Sequence, residues 1–291
     1  MNEPDLLPSS RIAILGLGLM GGSLALALRD HCRTLMGYDL DPQTRSQARE
    51  LNLVDQISAS PAAFLPTADV VILATPLSAI IKIIAELPSL HPGSAIVLDL
   101  GSTKTQVVQA LESLPSRFDP LGGHPMCGKE TTGLENADPV IFQGATFAFT
   151  ALQRTSSKAR MFAEQLAQTI GSQTLWIDPD THDQWSAATS HLPYMVAAAL
   201  SSATPSLSSP LVGPGFRSTT RLAATPASIM LDVLSTNRAY ILESLNRFRK
   251  ELDSLEEKLS GDESHALGIA LNESAENQRA LVASSLQRQA S

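Results

Sequence analysis

The sequence predicts an α/β amino-terminal half, a doubly wound parallel sheet with helices on both faces, followed by an all-α carboxy-terminal half. Three observations carry this. From Arg11 to Asp178 short β-rich runs alternate with helix-compatible segments, the rhythm of strand, crossover and parallel strand. The first strand runs directly into Gly16-Leu17-Gly18-Leu19-Met20-Gly21. After Asp178 no strand pattern returns, and apolar residues recur at helical spacing. At 291 residues the chain exceeds a typical domain of ~100–200 residues, so two are expected, at 1–178 and 179–291.

The elements follow in order. Ile12 to Leu15, Leu35 to Tyr38, Val70 to Ala74 and Ile96 to Leu98 are apolar runs closed by Gly16, Asp39, Thr75-Pro76 and Asp99, which is how buried parallel strands read. Thr146 to Thr150 and Thr174 to Ile177 add further strands. Between them Ser23 to Leu28, Thr44 to Leu51, Leu77 to Leu87 and Lys104 to Leu114 carry helical spacing, and Pro88 and Pro115 act as stops because proline brings no N–H. The second half begins with a helix around His182 to Leu200, passes through a Ser/Pro/Gly-rich stretch from Ser201 to Gly215, and ends helical. There Ile241, Leu245, Phe248, Leu252, Leu255 and Leu259 alternate spacings of four and three, a heptad seam narrower than the stripe of a core-facing helix. A seam of this kind pairs with a partner helix, either within the chain as a bundle or between two copies, and a homodimerisation domain is the expectation.

Composition narrows the partners. A net charge of −8 opposes nucleic acid and anionic lipid, which are held by clustered Lys and Arg, and leaves a small molecule as the expected ligand. Met1 to Ser10 lack the basic start and apolar run of a signal peptide, and no segment is long and apolar enough to span a bilayer, so a cytoplasmic protein is expected. Cys32 and Cys127 stand in no metal-ligand spacing and read as reduced thiols, with no metal site.

The glycine motif closes a strand and opens a helix. Gly16, Gly18, Leu19, Met20 and Gly21 would form the tight turn that brings backbone N–H groups and a helix N-terminus to a pyrophosphate, the Rossmann-type arrangement. Asp39, eighteen residues after Gly21, is placed to accept the ribose hydroxyls. A 2′-phosphate would meet Asp39 and Asp41 with no Arg immediately beside them, so NAD is the expected cofactor. Ligands of open parallel sheets collect at the carboxyl ends of the strands, where Thr75-Pro76, Gly101 to Lys104 and Gly122 to Met126 fall.

A dehydrogenase needs a base for the alcohol proton, and His124, titrating near the ordinary histidine range, is the natural candidate. His31, His91, His182 and His265 stand in loops or polar helical contexts and read as solvated. His191 lies in Ser190-His191-Leu192-Pro193-Tyr194 on an apolar helix. It reads as a hydrogen-bonded core residue or, where Pro193 kinks the helix toward a cavity, as a site residue.

Gly16 to Ser23, Asp99-Leu100-Gly101-Ser102-Thr103-Lys104, Gly122-Gly123-His124-Pro125-Met126-Cys127-Gly128, Ser190-His191-Leu192-Pro193 and Gly215-Phe216-Arg217-Ser218-Thr219-Thr220-Arg221 together resemble the prephenate/arogenate dehydrogenase family, in family order from Arg11 to about Asn237. The resemblance implies NAD-dependent oxidation of a ring 4-hydroxyl with loss of the ring carboxylate, on the route to tyrosine. It implies His124 as the base, Ser102 as the residue orienting hydroxyl and nicotinamide, and Arg221 as the anchor of a substrate carboxylate, with Arg217, His191 and Tyr194 also at the substrate. Tyr194 stands where several prephenate-preferring members carry another His, so arogenate or both substrates are alternatives. No mutase segment precedes Arg11 and no regulatory domain follows the seam, so a minimal dehydrogenase is expected. The β-hydroxyacid dehydrogenases share the glycine opening but would use a helical lysine, for which the second half offers no motif. A non-catalytic NAD-binding regulator would need neither a base nor a carboxylate anchor.

Overall fold

A computed structural model describes residues 5–290, with side chains as far as Gln287. Residues 1–4 and 291, assigned above to the ends of the two halves, lie outside the described residues. The first half contains β1 (Arg11–Leu15), α1 (Leu19–Leu28), β2 (Thr34–Tyr38), α2 (Pro42–Glu50), β3 (Gln56–Ile57), β4 (Val70–Leu73), α3 (Leu77–Leu90), β5 (Ala95–Asp99), α4 (Thr105–Glu112), β6 (Phe118–Pro125), β7 (Thr146–Ala151), α5 (Ser157–Thr169) and β8 (Gln173–Trp176). They form one sheet in the order β3-β2-β1-β4-β5-β6-β7-β8. The order reverses between β1 and β4, and there a crevice opens at the strand ends.

The continuous apolar character of β1, β4 and β5 is explained by burial on both faces. Successive side chains of a strand point to opposite sides. Ile12, Ile14 and Leu98 therefore join α1 and α5 in one core, with Leu24, Phe162 and Leu166. Ala13, Leu15, Val71 and Val97 join α3 and α4 in the other, with Ile80, Ile84 and Leu111.

Three expectations are corrected. The sheet is not parallel throughout, because β7 runs antiparallel to β6, from Leu121 opposite Ala151 to Pro125 opposite Phe147. A parallel return needs a crossover, usually a helix. The chain between β6 and β7 instead wraps α1, with Leu134 in the core and the Asp138 amide donating to Ser23 Oγ at 2.8 Å. Second, no strand was expected between Leu98 and Thr146, yet Phe118–Pro125 form β6, with Gly122 to Pro125 as its last residues. Third, Pro88 does not stop α3, which continues to Leu90. Its missing N–H falls in the last turn, where it interrupts little of the helix.

The second half holds α6 (Pro179–Ser186), α7 (Leu192–Ala203), α8 (Pro214–Thr220), α9 (Ala227–Thr236), α10 (Arg238–Ser260) and α11 (Ser264–Ala290). Between α6 and α7 the residues Ala187–His191 make a π-helical turn, closed by the Leu192 amide donating to the Ala187 carbonyl. Pro193, which has no N–H to offer, follows directly, so the irregularity expected from it takes the form of a wide turn ending at His191. Of the heptad seam, Ile241 is buried on its own chain, whereas Leu252 and Leu259 are 51% and 70% exposed. Beyond the seam, α11 continues the expected helical ending, and its Ile269, Leu271, Leu281, Val282 and Leu286 are also exposed. No helix among the described residues is long and apolar enough to cross a membrane.

Candidate active site

The glycine turn is built as its sequence requires. Gly16 has φ +98°, and a Cβ there would lie 2.6 Å from the Ala74 carbonyl oxygen. A Cβ at Gly21 would overlap the Gly16 carbonyl, while Gly18 faces open space. Leu19, at the start of α1, has no side-chain cap on the turn before it, so the helix N-terminus is free to meet a phosphate. Gly18, Leu19, Met20, Thr75, Pro76 and Ser102 line a cavity of about 360 Å³ over this turn. These residues fit a dinucleotide: a glycine cradle that a Cβ would fill, an uncapped helix N-terminus, and a carboxylate after β2.

That carboxylate, Asp39, accepts from the Leu17 amide at 2.8 Å and the Asp41 amide at 2.9 Å, which ties it to the glycine turn. Asp41 caps α2 through the Gln43 and Thr44 amides. The sequence reading found no Arg beside Asp39, but Arg45 reaches back from α2 and donates to the Asp39 and Leu40 carbonyls at 2.7 and 2.8 Å. Sequence distance hid it because one helical turn brings residue 45 over residue 41.

A second cavity of about 400 Å³ adjoins the first and is lined by His124, His191, Tyr194, Glu130 and Arg221, with Ser102 shared between the two. Ser102 thus lies between the two cavities, and His124 lies in the wall of the second. Their positions depend on a buried ion pair. Lys104 binds Asp99, both side chains are fully buried, and Lys104 Nζ also donates to the Gly123 carbonyl at 2.6 Å. Asp99 in turn accepts from the Gly101 and Gly123 amides at 2.7 and 3.2 Å. The ends of β5 and β6 are thereby clamped together. Gly123 is needed for this approach, since a Cβ there would lie 2.8 Å from the Asp99 carbonyl oxygen.

His124 faces the second cavity with one edge and the protein with the other. Its Nδ1 is 2.9 Å from His182 Nε2, and His182 Nδ1 is 2.8 Å from Asp183 Oδ1. Asp183 also accepts from the Lys104 and Thr105 amides at 2.6 and 2.8 Å. His182 and Asp183 are both buried, so the reading of His182 as solvated is wrong. So is that of His91, which is buried with Nε2 2.9 Å from the Ala68 carbonyl oxygen. The adjacent pair His182-Asp183 at a helix start was the available signal; the packing of α6 against α4 that buries it is not written in local sequence. His191 is buried as well, and Asn237 Nδ2 joins its Nδ1, at 3.1 Å, to the Asp183 carbonyl, at 2.7 Å.

The electrostatics favour the neutral form of His124 and His191. Burial holds His124 well below the ordinary histidine range, and His182, Lys104 and His191 push the same way. This corrects the expectation of titration near that range. His191 is lowered to about 4, first by burial and further by His182, against the opposing effect of Asp183. Burial pushes the Asp183 carboxyl up, but the bonds from His182, Thr105 and Lys104 more than offset it and leave it below its usual value.

Arg221, also in the lining of the second cavity, pairs with Glu130. Arg217 is not brought there. It is exposed, outside the linings of both cavities, and its Nη2 donates to the Val212 carbonyl at 3.3 Å. Besides Glu130, the sequence reading missed Lys129, Thr225, Ile229 and Val233, which line both cavities. They come from a loop and from α9, and carry no motif.

Comparison with known proteins gives a consistent picture. Residues 24–175 match "Prephenate dehydrogenase, nucleotide-binding domain" and residues 178–273 match "Prephenate dehydrogenase, dimerization domain". The chain is 32% identical to the prephenate dehydrogenase of Bacillus subtilis over 256 residues, 84% of this chain and 68% of that one. Among solved structures it is similar to prephenate dehydrogenase from A. aeolicus in complex with hydroxyphenyl propionate and NAD+, with a TM-score of 0.85 at 29% identity over 95% of this chain and 99% of that one. The arogenate dehydrogenase of Synechocystis is similar too, with a TM-score of 0.79 at 28% identity over 93% and 99% of the two chains.

Proposed function

The chain belongs to the prephenate dehydrogenase family, and on that premise we propose that it converts prephenate to 4-hydroxyphenylpyruvate with release of carbon dioxide. The observation that carries this reading is Ser102 in the wall shared by the two cavities, with His124 and Arg221 both lining the second. NAD, when bound over the glycine turn, supplies the hydride acceptor. Ser102 orients the ring 4-hydroxyl, and neutral His124 takes its proton as hydride leaves the same carbon. Arg221 holds a substrate carboxylate by charge-assisted hydrogen bonds, and His191 and Tyr194 line the same cavity. Ile229 and Val233 add apolar side chains to the wall of this cavity. Loss of the ring carboxylate follows from the gain of aromaticity and needs no further group. The dinucleotide half is taken as 1–178 and the helical half as 179–291.

A second reading is arogenate. Glu130 places a carboxylate beside Arg221, which suits an ammonium next to a carboxylate. Steady-state assays with prephenate and arogenate, each with NAD and NADP, test both. The expected result is the highest kcat/KM with prephenate and NAD, and absence of turnover with either substrate would overturn the proposal. Asp39→Ser is expected to narrow the NAD preference by ~10–100-fold, the worth of a hydrogen bond to a charged group. An unchanged ratio would show that Asp39 does not read the ribose.

We also propose a homodimer in the cytoplasm. The match of residues 178–273 to a dimerization domain supports the first, together with the exposed apolar residues of α10 and α11. The free thiols of Cys32 and Cys127, which suit a reducing compartment, support the second. Sedimentation at micromolar concentration is expected to give twice the chain mass. A fully active monomer would count against the interface.

A further inference from the structure

We propose that His182 and Asp183 form a relay behind His124, fixing its tautomer and holding the proton taken from the substrate as a cation on His182. The proposal rests on the reading of His124 as the base. Its geometry leaves one assignment of protons. The Asp183 carboxylate receives two backbone N–H groups, from Lys104 and Thr105, and has no proton of its own to give. His182 Nδ1, 2.8 Å from Asp183 Oδ1, must therefore carry a hydrogen, which leaves His182 Nε2 as a lone pair. His124 Nδ1, 2.9 Å from that lone pair, must then donate. The free lone pair of His124 is Nε2, the atom needed for a base in the second cavity.

Charge favours the same direction of flow. Lys104 and Asp99 neutralise each other, Arg221 pairs with Glu130, and Lys129 pairs with Asp138. Asp183 is met by neutral donors, so it is the buried negative charge left to match a cation. His191 does not compete, because Asn237 Nδ2 donates to its Nδ1 and to the Asp183 backbone carbonyl, not to the carboxylate. Cys127, which lines both cavities, has its thiol pushed up to about 12 by burial and stays neutral.

The step balances. The 4-hydroxyl O–H bond breaks and its proton joins His124 Nε2, while the Nδ1 proton of His124 passes to His182 Nε2. His182 then holds two N–H protons and its positive charge lies against Asp183, which keeps its own negative charge. Once product leaves, the sequence reverses and Nε2 releases the proton into the opened cavity. His182 and Asp183 are positioning residues here, since neither lines a cavity.

The test is nitrogen-15 NMR of the full chain without substrate, joined to steady-state kinetics. The expected parent spectrum has His124 as the Nδ1–H tautomer, and an Nε2–H tautomer would overturn the proposal. In Asp183→Asn the new amide can donate to His182 Nδ1 and invert the chain. His124 should switch to Nε2–H and kcat should fall by ~10²–10⁴-fold, with KM and NAD affinity within about threefold. His182→Gln leaves the Asp183 amide bonds in place; its carbonyl can accept from His124 Nδ1 but cannot carry the cation. It should keep the His124 tautomer at reduced kcat, and parental kcat in either folded variant would sink the relay. If Asp183→Asn does not fold, the parent tautomer and His182→Gln decide. Because the tautomer is read without turnover, a chain inactive on prephenate would defeat the functional reading while the hydrogen-bond chain is still scored.

Discussion

His124→Asn lowers kcat by ~10²–10⁴-fold, the usual worth of a general base, while NAD binds as before. Asparagine is close to the shape of the inner half of the imidazole, and its amide can still donate toward His182 Nε2, so the polar chain behind it is not left open. The cofactor cradle is formed by Gly16 to Gly21 and Thr75-Pro76, away from the substitution. The pH profile gives an independent reading. A base acts when neutral, so kcat/KM rises with pH through the pKa of His124 in the free enzyme. Burial and the neighbouring His182, Lys104 and His191 lower that pKa, so the acidic limb belongs below pH 6.5, the ordinary histidine value. The limb should disappear in His124→Asn. Near-parental kcat with an unchanged profile would remove His124 from the base role and make His191 the next residue to replace.

How much of this was legible in the sequence depended on the range of the forces involved. The strands and the glycine turn are set by local patterns, the continuous apolar runs of β1, β4 and β5 and the glycines that alone fit against Ala74. The antiparallel β7 was not legible, because direction is decided by how the chain from 126 to 145 packs on α1, a contact between segments more than a hundred residues apart. His124 and Ser102 were found because each stands at a strand end. His182 was misread for the opposite reason: its neighbours Thr181, Asp183 and Gln184 make a polar, apparently solvated context, yet α4 and β6 cover it. Arg217 is placed outside both cavity linings. Its motif resembled a binding element, but one helical turn separates it from Arg221, and of the two the cavity lining includes Arg221.

Arg221→Ala is expected to raise the substrate KM by ~10–100-fold with a much smaller change in kcat. A hydrogen bond to a charged group is worth ~1.5–3 kcal/mol, and each ~1.4 kcal/mol is tenfold in affinity. A carboxylate that takes no part in the proton and hydride transfers is held alike in ground state and transition state, so the loss of its contact appears in KM. The ion pair with Glu130 adds a second consequence. Before substrate arrives Arg221 neutralises Glu130; without Arg221 that carboxylate faces a substrate carboxylate, and like charges at close range repel. Arg221→Ala should therefore cost more than the lost bond alone, and adding Glu130→Gln should recover part of the KM, never all of it. The pair is 61% and 28% exposed on its two side chains, so solvent screens it and high salt should shrink the recoverable part. An Arg221→Ala enzyme with parental KM would mean that the carboxylate is held elsewhere in the cavity. Lys129 would then be the first side chain to replace, since it is a cation lining both cavities.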